Sequence, residues 1–177
     1  MPAMILGVDS SYNAQYCRRN VFSMSRRSVL IESLQATPRD LARMLRRVDD
    51  AAARRRLGGD WCLADVVAHL GSIEALYLAR LRRVVAQDNP FEPYLPPDAG
   101  AHDLSRPLAD LAAEFATRRA ETVAFLAGLD QRDWGRPLVH ETIGPTRLRD
   151  QVQALVAHDN DHLAQLVALR ERLQIAD

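Results

Sequence analysis

The feature that most constrains this chain is a stretch at residues 147–172 with the periodicity of an amphipathic helix. Residues four apart lie on one face of a helix, so His158 and His162 are neighbours on that face. The stripe predicted to face the core is Leu148, Leu155, His158, His162, Gln165 and Leu169. Polar groups buried among leucines need partners, and two imidazoles one turn apart can meet this need by binding one metal ion. We therefore predict a metal site in a small helical protein.

Other amphipathic stretches predict that most of the remaining chain is helical too. The 177 residues are enough for one domain with a sizeable core. Only 6% of the residues are aromatic, and long β-branched runs are scarce, which favours helices over sheet. We predict long helices near residues 37–48, 63–87, 107–126 and 147–172.

The first of these helices is predicted to begin at Thr37, after a shorter lead-in from Ser28. The Thr37 hydroxyl would cap the helix, and Pro38 would occupy its first position. A proline-rich connection at residues 88–106 separates the second and third helices, and it is unusually long for a compact domain. The predicted fold class is all-α, a four-helix bundle with a long crossover between helices two and three.

Residues 1–27 do not share the helical pattern, and we expect a disordered extension with Met24 as the true start of the chain. The bundle domain would then span residues 28–177. The apolar opening, residues 4–8, is too short for a signal-peptide core, and arginines follow it instead of preceding it. Two cysteines, Cys17 and Cys62, provide no disulfide framework. These features predict a cytoplasmic location.

Charge and motifs narrow the class of partner. The formal net charge is zero, with 23 basic and 23 acidic residues, so a nucleic-acid-binding surface is not expected. The sequence contains no apolar run long enough to cross a membrane and no glycine-rich phosphate loop. A small-molecule substrate is the partner that remains.

A third metal ligand should come from a facing helix, because zinc-like ions in catalytic sites commonly take three protein ligands and keep one position open. His69 lies on the apolar face of the second helix, between Val66 and Ile73. His102 and His140 fall in predicted loops and are weaker candidates. A lone histidine on an apolar face is more often a hydrogen-bonded core residue, so the spacing of the pair carries this prediction.

Two other metal sites fit the spacing less well. The run from His158 to His162 resembles the zinc-protease helix, but Asp159 stands where that helix carries glutamate. A ferritin-like di-iron site needs Glu-x-x-His pairs, which this sequence lacks. A mononuclear site therefore fits better.

Two motifs carry a resemblance to a known family. They read Trp61-x-x-x-x-Val66-x-x-His69-Leu70 and His158-Asp159-x-x-His162-x-x-Gln165. With these motifs the chain resembles the DinB/YfiT-like superfamily over roughly residues 28–173. The resemblance implies an up-down-down-up four-helix bundle, frequent homodimers, and a divalent metal ion held by His69, His158 and His162. Cys62 departs from the usual serine or threonine, which affects a helix cap and not the metal.

The outer parts of the site are less defined by the sequence. Asp65, Asp159 and Gln165 are predicted to line the pocket or to orient the imidazoles. Asp161 and Glu74 could do the same, although solvated helix surface is the favoured interpretation for both. Three arginines either bind an anionic substrate or face water: Arg80, Arg118 and Arg119.

The superfamily includes S-transferases and isomerases that use low-molecular-weight thiols, and the resemblance implies similar chemistry here. The leading hypothesis is a divalent-metal-dependent enzyme that transfers a low-molecular-weight thiol to a small electrophile through a metal-activated thiolate. Zinc, nickel, manganese or iron would suit three imidazoles. Hydrolysis by a water activated on the metal is one alternative. A non-enzymatic, stress-linked metal-binding protein is another, so the sequence leaves open whether the protein is an enzyme.

Overall fold

A computed structural model describes residues 25–58, 61–95 and 104–175, and these residues form five α-helices, one 3₁₀ turn and a small sheet. The helices are α1 (Arg26–Met44), α2 (Asp50–Arg54), α3 (Leu63–Ala86), α4 (Leu108–Gly128) and α5 (Leu148–Leu173). The 3₁₀ turn is Asp133–Gly135, and the strands are β1 (Phe91–Glu92), β2 (Pro137–His140) and β3 (Gly144–Arg147). Of the extension predicted for residues 1–27, residues 1–24 lie outside the described residues, whereas Arg26 and Arg27 belong to α1.

The first helix begins earlier than predicted. Ser25 caps α1, because its side chain accepts a hydrogen bond from the amide of Ser28 at 3.2 Å. The helix then continues through Pro38, so the prediction that Thr37 caps it was wrong. Proline removes the amide that would bond the carbonyl of Leu34, and that carbonyl instead accepts from Nη1 of Arg119 at 3.3 Å. A side chain of a neighbouring helix thus reduces the cost of a proline inside α1.

The four long helices form the predicted up-down-down-up bundle. The helices α3 and α4 run parallel, since Leu63 and Leu108 near their starts share one hydrophobic cluster and Leu81 and Leu126 near their ends share another. Because they are parallel, the end of α3 and the start of α4 lie at opposite ends of the bundle, as the predicted long crossover between them requires. The helix α5 runs antiparallel to α3 and closes the bundle.

The bundle core consists of two hydrophobic clusters at different heights. One cluster surrounds the start of α3 and the end of α5, with Leu63, Val67 and Leu166 fully buried. The other surrounds the end of α3 and the start of α5, with Leu81, Leu126 and Leu148 fully buried. Burial of this apolar area, at about 25 cal/mol per Å², is the main force that holds the helices together. Polar side chains lie between the two clusters.

A small three-stranded sheet covers the end of the bundle where α5 begins. The strand β2 pairs in parallel with β1 and antiparallel with β3. Gly144 sits at the hairpin with a φ of +72°, a conformation that side-chain-bearing residues rarely adopt. The all-α prediction did not include this sheet, because strands of two to four residues are too short to show an alternating pattern. Within the described ranges, none of the helices combines the length and apolarity needed to cross a membrane.

Candidate metal centre

Three histidines from two helices converge inside the bundle. His69 lies on α3, and His158 and His162 lie one turn apart on α5. Nε2 of His158 lies 3.0 Å from Nε2 of His69 and 3.1 Å from Nε2 of His162. One ligand atom from each histidine fits within 4.8 Å of the others. We call these three residues the histidine layer.

The apolar environment of α3 explains why His69 points inward. Val66 and Ile73, the neighbours predicted for it, are buried, and His69 itself is only 2% exposed. Trp61 lies beside the layer, with its ring centroid 4.9 Å from that of His69 and 6.0 Å from that of His162. The indole lies nearly parallel to the His162 ring, at an interplanar angle of 6°. The rings therefore form a packed group in which each limits the rotation of the others.

A single outer contact fixes the tautomer of His162. Its Nδ1 lies 2.8 Å from Oε1 of Gln165, and an amide oxygen only accepts hydrogen bonds. Nδ1 therefore carries the proton, and Nε2 presents a lone pair toward His158. Gln165 thus lies where the sequence placed it, beside the histidines.

The proton count within the histidine layer leaves one short contact unsatisfied. A neutral imidazole has one N–H, so a proton on Nε2 of His158 cannot make a full hydrogen bond with both His69 and His162. Nδ1 of His158 is buried and has no hydrogen-bond partner among the described residues. Burial and then the nearby His162 lower the pKa of His158 to about 4, which keeps the ring neutral at physiological pH. Three imidazole nitrogens that face one another are the kind of donor set that a divalent metal ion binds.

The two predicted acidic neighbours do not bond to the imidazoles. Asp65 accepts a hydrogen bond from the amide of Cys62 at 2.8 Å and pairs with Arg56 at 2.9 Å. Asp65 therefore completes the start of α3, as a residue at its position in a capping box does. The carboxylate of Asp159 points the other way, toward Thr37 and Arg119. The hydrogen bonds of the two acids therefore run to a helix start and to the neighbouring helices, and their role toward the rings stays a prediction.

Asp159 belongs to a buried ionic cluster that the sequence analysis missed. Each long helix contributes one residue to this cluster, which we call the ion-pair layer: Thr37, Glu74, Arg119 and Asp159. None of the four is more than 4% exposed. Arg119 reaches Glu74 at 2.7 Å and Asp159 at 3.0 Å, and Thr37 donates to Asp159 at 2.8 Å. Although burial alone would lower the pKa of Arg119, its bonds to the two carboxylates raise it.

Glu74 and Arg119 had been assigned wrongly. Solvated surface was the favoured interpretation for Glu74, and Arg119 was expected to bind an anion or face water. Arg80 is also buried, with Glu92 at 3.4 Å. The neighbouring residues on the same helical rows could have revealed this, since Leu70 and Leu78 flank Glu74 at four-residue spacing. The same rule that identified the histidines would have placed Glu74 inside.

The remaining candidates lie away from the centre. His140 is half-buried on β2, where its Nδ1 lies 3.1 Å from the hydroxyl of Thr142. His102 lies outside the described residues. Asp161 is exposed on α5, as predicted, and Arg118 binds the carbonyl of Gly71.

Comparisons with known proteins agree with this fold. The family model described as the DinB superfamily matches residues 33–166. Among solved structures, the chain is similar to YfiT from Bacillus subtilis, described as a probable metal-dependent hydrolase with an unusual four-helix bundle topology. The identity is 20%, the TM-score is 0.72, and the match covers 88% of this chain and 93% of YfiT. At this level of identity the likeness establishes a shared fold. The chain has no match among curated proteins.

Proposed function

Because the chain belongs to the DinB superfamily, we propose that it is a divalent-metal-dependent enzyme whose ligands are His69, His158 and His162. The observation that supports this most is the pair of Nε2 contacts at 3.0 and 3.1 Å, which a single shared proton cannot satisfy. A cation bound by all three lone pairs would satisfy the rings together. Nitrogens that bind one ion at about 2.0–2.1 Å lie at similar separations from one another.

The proposed reaction is transfer of a low-molecular-weight thiol to a small electrophile. A zinc, nickel, manganese or iron ion bound there would lower the pKa of a thiol or water that coordinates it. The rings must be neutral to act as ligands, and the depressed pKa of His158 keeps that ring neutral. A small-molecule substrate and a homodimeric assembly are parts of the same proposal.

Residues around the histidines contribute orientation and exclusion of water. Gln165 holds the proton on Nδ1 of His162, which directs the Nε2 lone pair toward the other rings. Trp61 covers one side of His69 and His162. Together with the buried apolar row of α3, these side chains keep the three nitrogens in fixed directions before an ion binds.

Hydrolysis is the second candidate, because YfiT, which shares this fold, is described as a probable metal-dependent hydrolase. A purely structural ion is less favoured, since structural zinc sites commonly close with four protein ligands. Within the described residues, the cluster that could hold an ion contains three. A three-ligand set leaves room for a substrate atom.

A substrate panel tests the reaction class directly. Metal-loaded protein should consume a thiol such as cysteine or glutathione and an electrophile in a one-to-one ratio. Mass spectrometry measures the loss of both and the product that joins them. Ester and amide substrates in the same assay test hydrolysis. Turnover of esters without consumption of any thiol would replace the transferase proposal with the hydrolase. No turnover in either arm, with the metal bound, would contradict the enzyme proposal.

A further inference from the structure

The ion-pair layer lies next to the histidine layer along both helices that carry the proposed ligands. Asp159 directly follows His158 on α5, and Glu74 lies five residues after His69 on α3. Five residues of helix correspond to a rise of about 7.5 Å. Unit charges at such distances interact appreciably where water is excluded. The charge of the ion-pair layer therefore acts on whatever the histidines hold.

This layer carries one more negative charge than positive. It contains two carboxylates, Glu74 and Asp159, and one guanidinium, Arg119. Among the described residues, Arg119 is the only cation that bonds to either carboxylate. Oε1 of Glu74 has no hydrogen-bond partner in the described part of the chain, although the residue is 0% exposed. A buried carboxylate charge without full compensation is costly.

A second buried ionic group in the bundle has the opposite balance. Glu92 is 0% exposed and bonds with Arg80 and Arg83, so this group has two arginines for one carboxylate. It lies beside the small sheet, because Glu92 belongs to β1. Of these two groups, the one with more carboxylates than arginines is the one next to the histidines.

We infer that the ion-pair layer is the charge-balancing part of the cation site, with Glu74 supplying the surplus negative charge that a bound divalent ion offsets. In this account Arg119 and Thr37 hold Asp159 in place, which keeps α5 in register with His158 facing His69. The inference rests on the proposed metal site. It assigns to Glu74 a role in metal binding that needs no contact with the ion. Glu74 acts through its charge and is not itself a ligand.

Glu74→Gln tests this role with little change of shape. Glutamine keeps an oxygen to accept from Nη2 of Arg119, and its amide group takes the place of the unpartnered oxygen. We expect the dissociation constant for Co²⁺ to rise about tenfold, within the range found for outer partners of metal sites. The melting temperature of the metal-free variant should equal or exceed that of the wild type, because a buried uncompensated charge has been removed. The titration follows Co²⁺ by its visible absorption.

Glu92→Gln is the matched control, since Glu92 is equally buried and pairs with Arg80, about three helical turns beyond His69 on α3. Its melting temperature should fall, because two arginines lose their partner, while its Co²⁺ affinity should stay at the wild-type value. Glu74→Asp keeps the charge and should retain affinity closer to the wild type than Glu74→Gln does. If Glu74→Gln does not fold, Thr37→Val is the second variant to measure, because it removes the hydrogen bond to Asp159 but no charge. Its affinity for Co²⁺ should fall by less than tenfold.

The outcomes separate this inference from the proposed function. If the wild type binds no Co²⁺, the metal proposal fails, and this inference fails with it. If the wild type binds Co²⁺ and Glu74→Gln binds equally well, only the charge-balancing role is overturned. A metal-free Glu74→Gln variant with a lowered melting temperature and unchanged affinity would show that Glu74 merely stabilises the fold.

Discussion

The histidine layer and the ion-pair layer are adjacent polar groups inside the same bundle, and they satisfy their hydrogen bonds differently. Arg119 and Thr37 donate to the carboxylates of the ion-pair layer at 2.7–3.0 Å, so donors face acceptors there. In the histidine layer, three ring nitrogens face one another with too few protons between them. The ion-pair layer therefore makes hydrogen bonds within the protein at all its members, although Oε1 of Glu74 has none among the described residues. The histidine layer instead presents lone pairs that a cation can bind.

This difference assigns separate tasks to the two layers. A buried ion-pair network whose hydrogen bonds are made fixes how four helices meet, because breaking it leaves charges stranded. A set of converging lone pairs contributes little to folding by itself but binds a cation strongly. We therefore expect loss of Arg119, which holds the two carboxylates of the ion-pair layer, to affect stability first. Loss of a histidine, or of the charge of Glu74, should affect metal binding first. The following predictions test that separation.

The largest effect is expected from His158→Ala, which should abolish stoichiometric metal binding. The loss should exceed the roughly 10–100-fold that removal of an outer partner costs, because a proposed ligand is removed. The melting temperature of the metal-free protein should change little, since Nδ1 of the lost ring had no partner in the described structure. Isothermal titration with Zn²⁺ measures the first effect, and calorimetry with a chelator measures the second. His140→Ala is the control, and equal losses in both variants would refute the assignment.

Arg119→Met should lower the free energy of unfolding by about 3–5 kcal/mol, because it strands two buried carboxylates. Arg118→Met, one residue away, removes a partly exposed ion pair with Glu114 and a hydrogen bond to the carbonyl of Gly71. Loss of the ion pair should lower the free energy of unfolding by less than about 1 kcal/mol. Urea unfolding of the metal-free proteins gives both values. If the two variants lose similar stability, the ion-pair layer does not have the structural role assigned here.

Acid should weaken the metal-free protein through His158. Its pKa is about 4 in the folded state and 6.5 as the ordinary value, so the unfolded chain binds more protons between these limits. The contribution to stability is fully present above pH 6.5 and is lost as the pH falls toward 4, by at most about 3 kcal/mol. Unfolding of wild type and His158→Ala from pH 7 to 4 isolates this contribution. Parallel pH curves for the two proteins would contradict it.

The smallest effect is expected from Gln165→Leu, which removes the acceptor for Nδ1 of His162. Without that bond the ring can change tautomer or rotate, and metal affinity should fall about tenfold. Gln153→Leu on the same helix removes an exposed contact with Arg26 and should leave affinity unchanged. Competition with a chromophoric chelator resolves the two. A loss of the same size in Gln153→Leu would point to a general effect on α5.

Sequence periodicity predicted the histidine layer because histidines four apart interrupt a stripe of leucines. It predicted the bundle for the same reason, since apolar rows recur along every long helix. The ion-pair layer was missed because single charged residues on helices are usually exposed, and Arg119 follows another arginine in the chain. Phe115, four residues before Arg119, and Leu126, seven residues after it, lie on the same helical row and marked it as inward-facing.

Other differences came from interactions between distant segments. The length of α1 could not be derived locally, because Pro38 is tolerated through a bond between Arg119 and the carbonyl of Leu34. The sheet depends on β1, which lies in the connection between α3 and α4, pairing with β2, which lies after α4. Such contacts leave no periodic signal in either segment. Periodicity therefore predicted which helices form, while long-range polar contacts decided where two of the elements begin.

X-ray absorption at the metal edge, on tag-free protein with its native ion, tests the central claim most directly. The account predicts about one ion per chain, with three imidazole nitrogens at about 2.0–2.1 Å and at least one further light-atom ligand. A spectrum with no imidazole scattering, or protein that contains no metal after growth with the candidate ions, would contradict it.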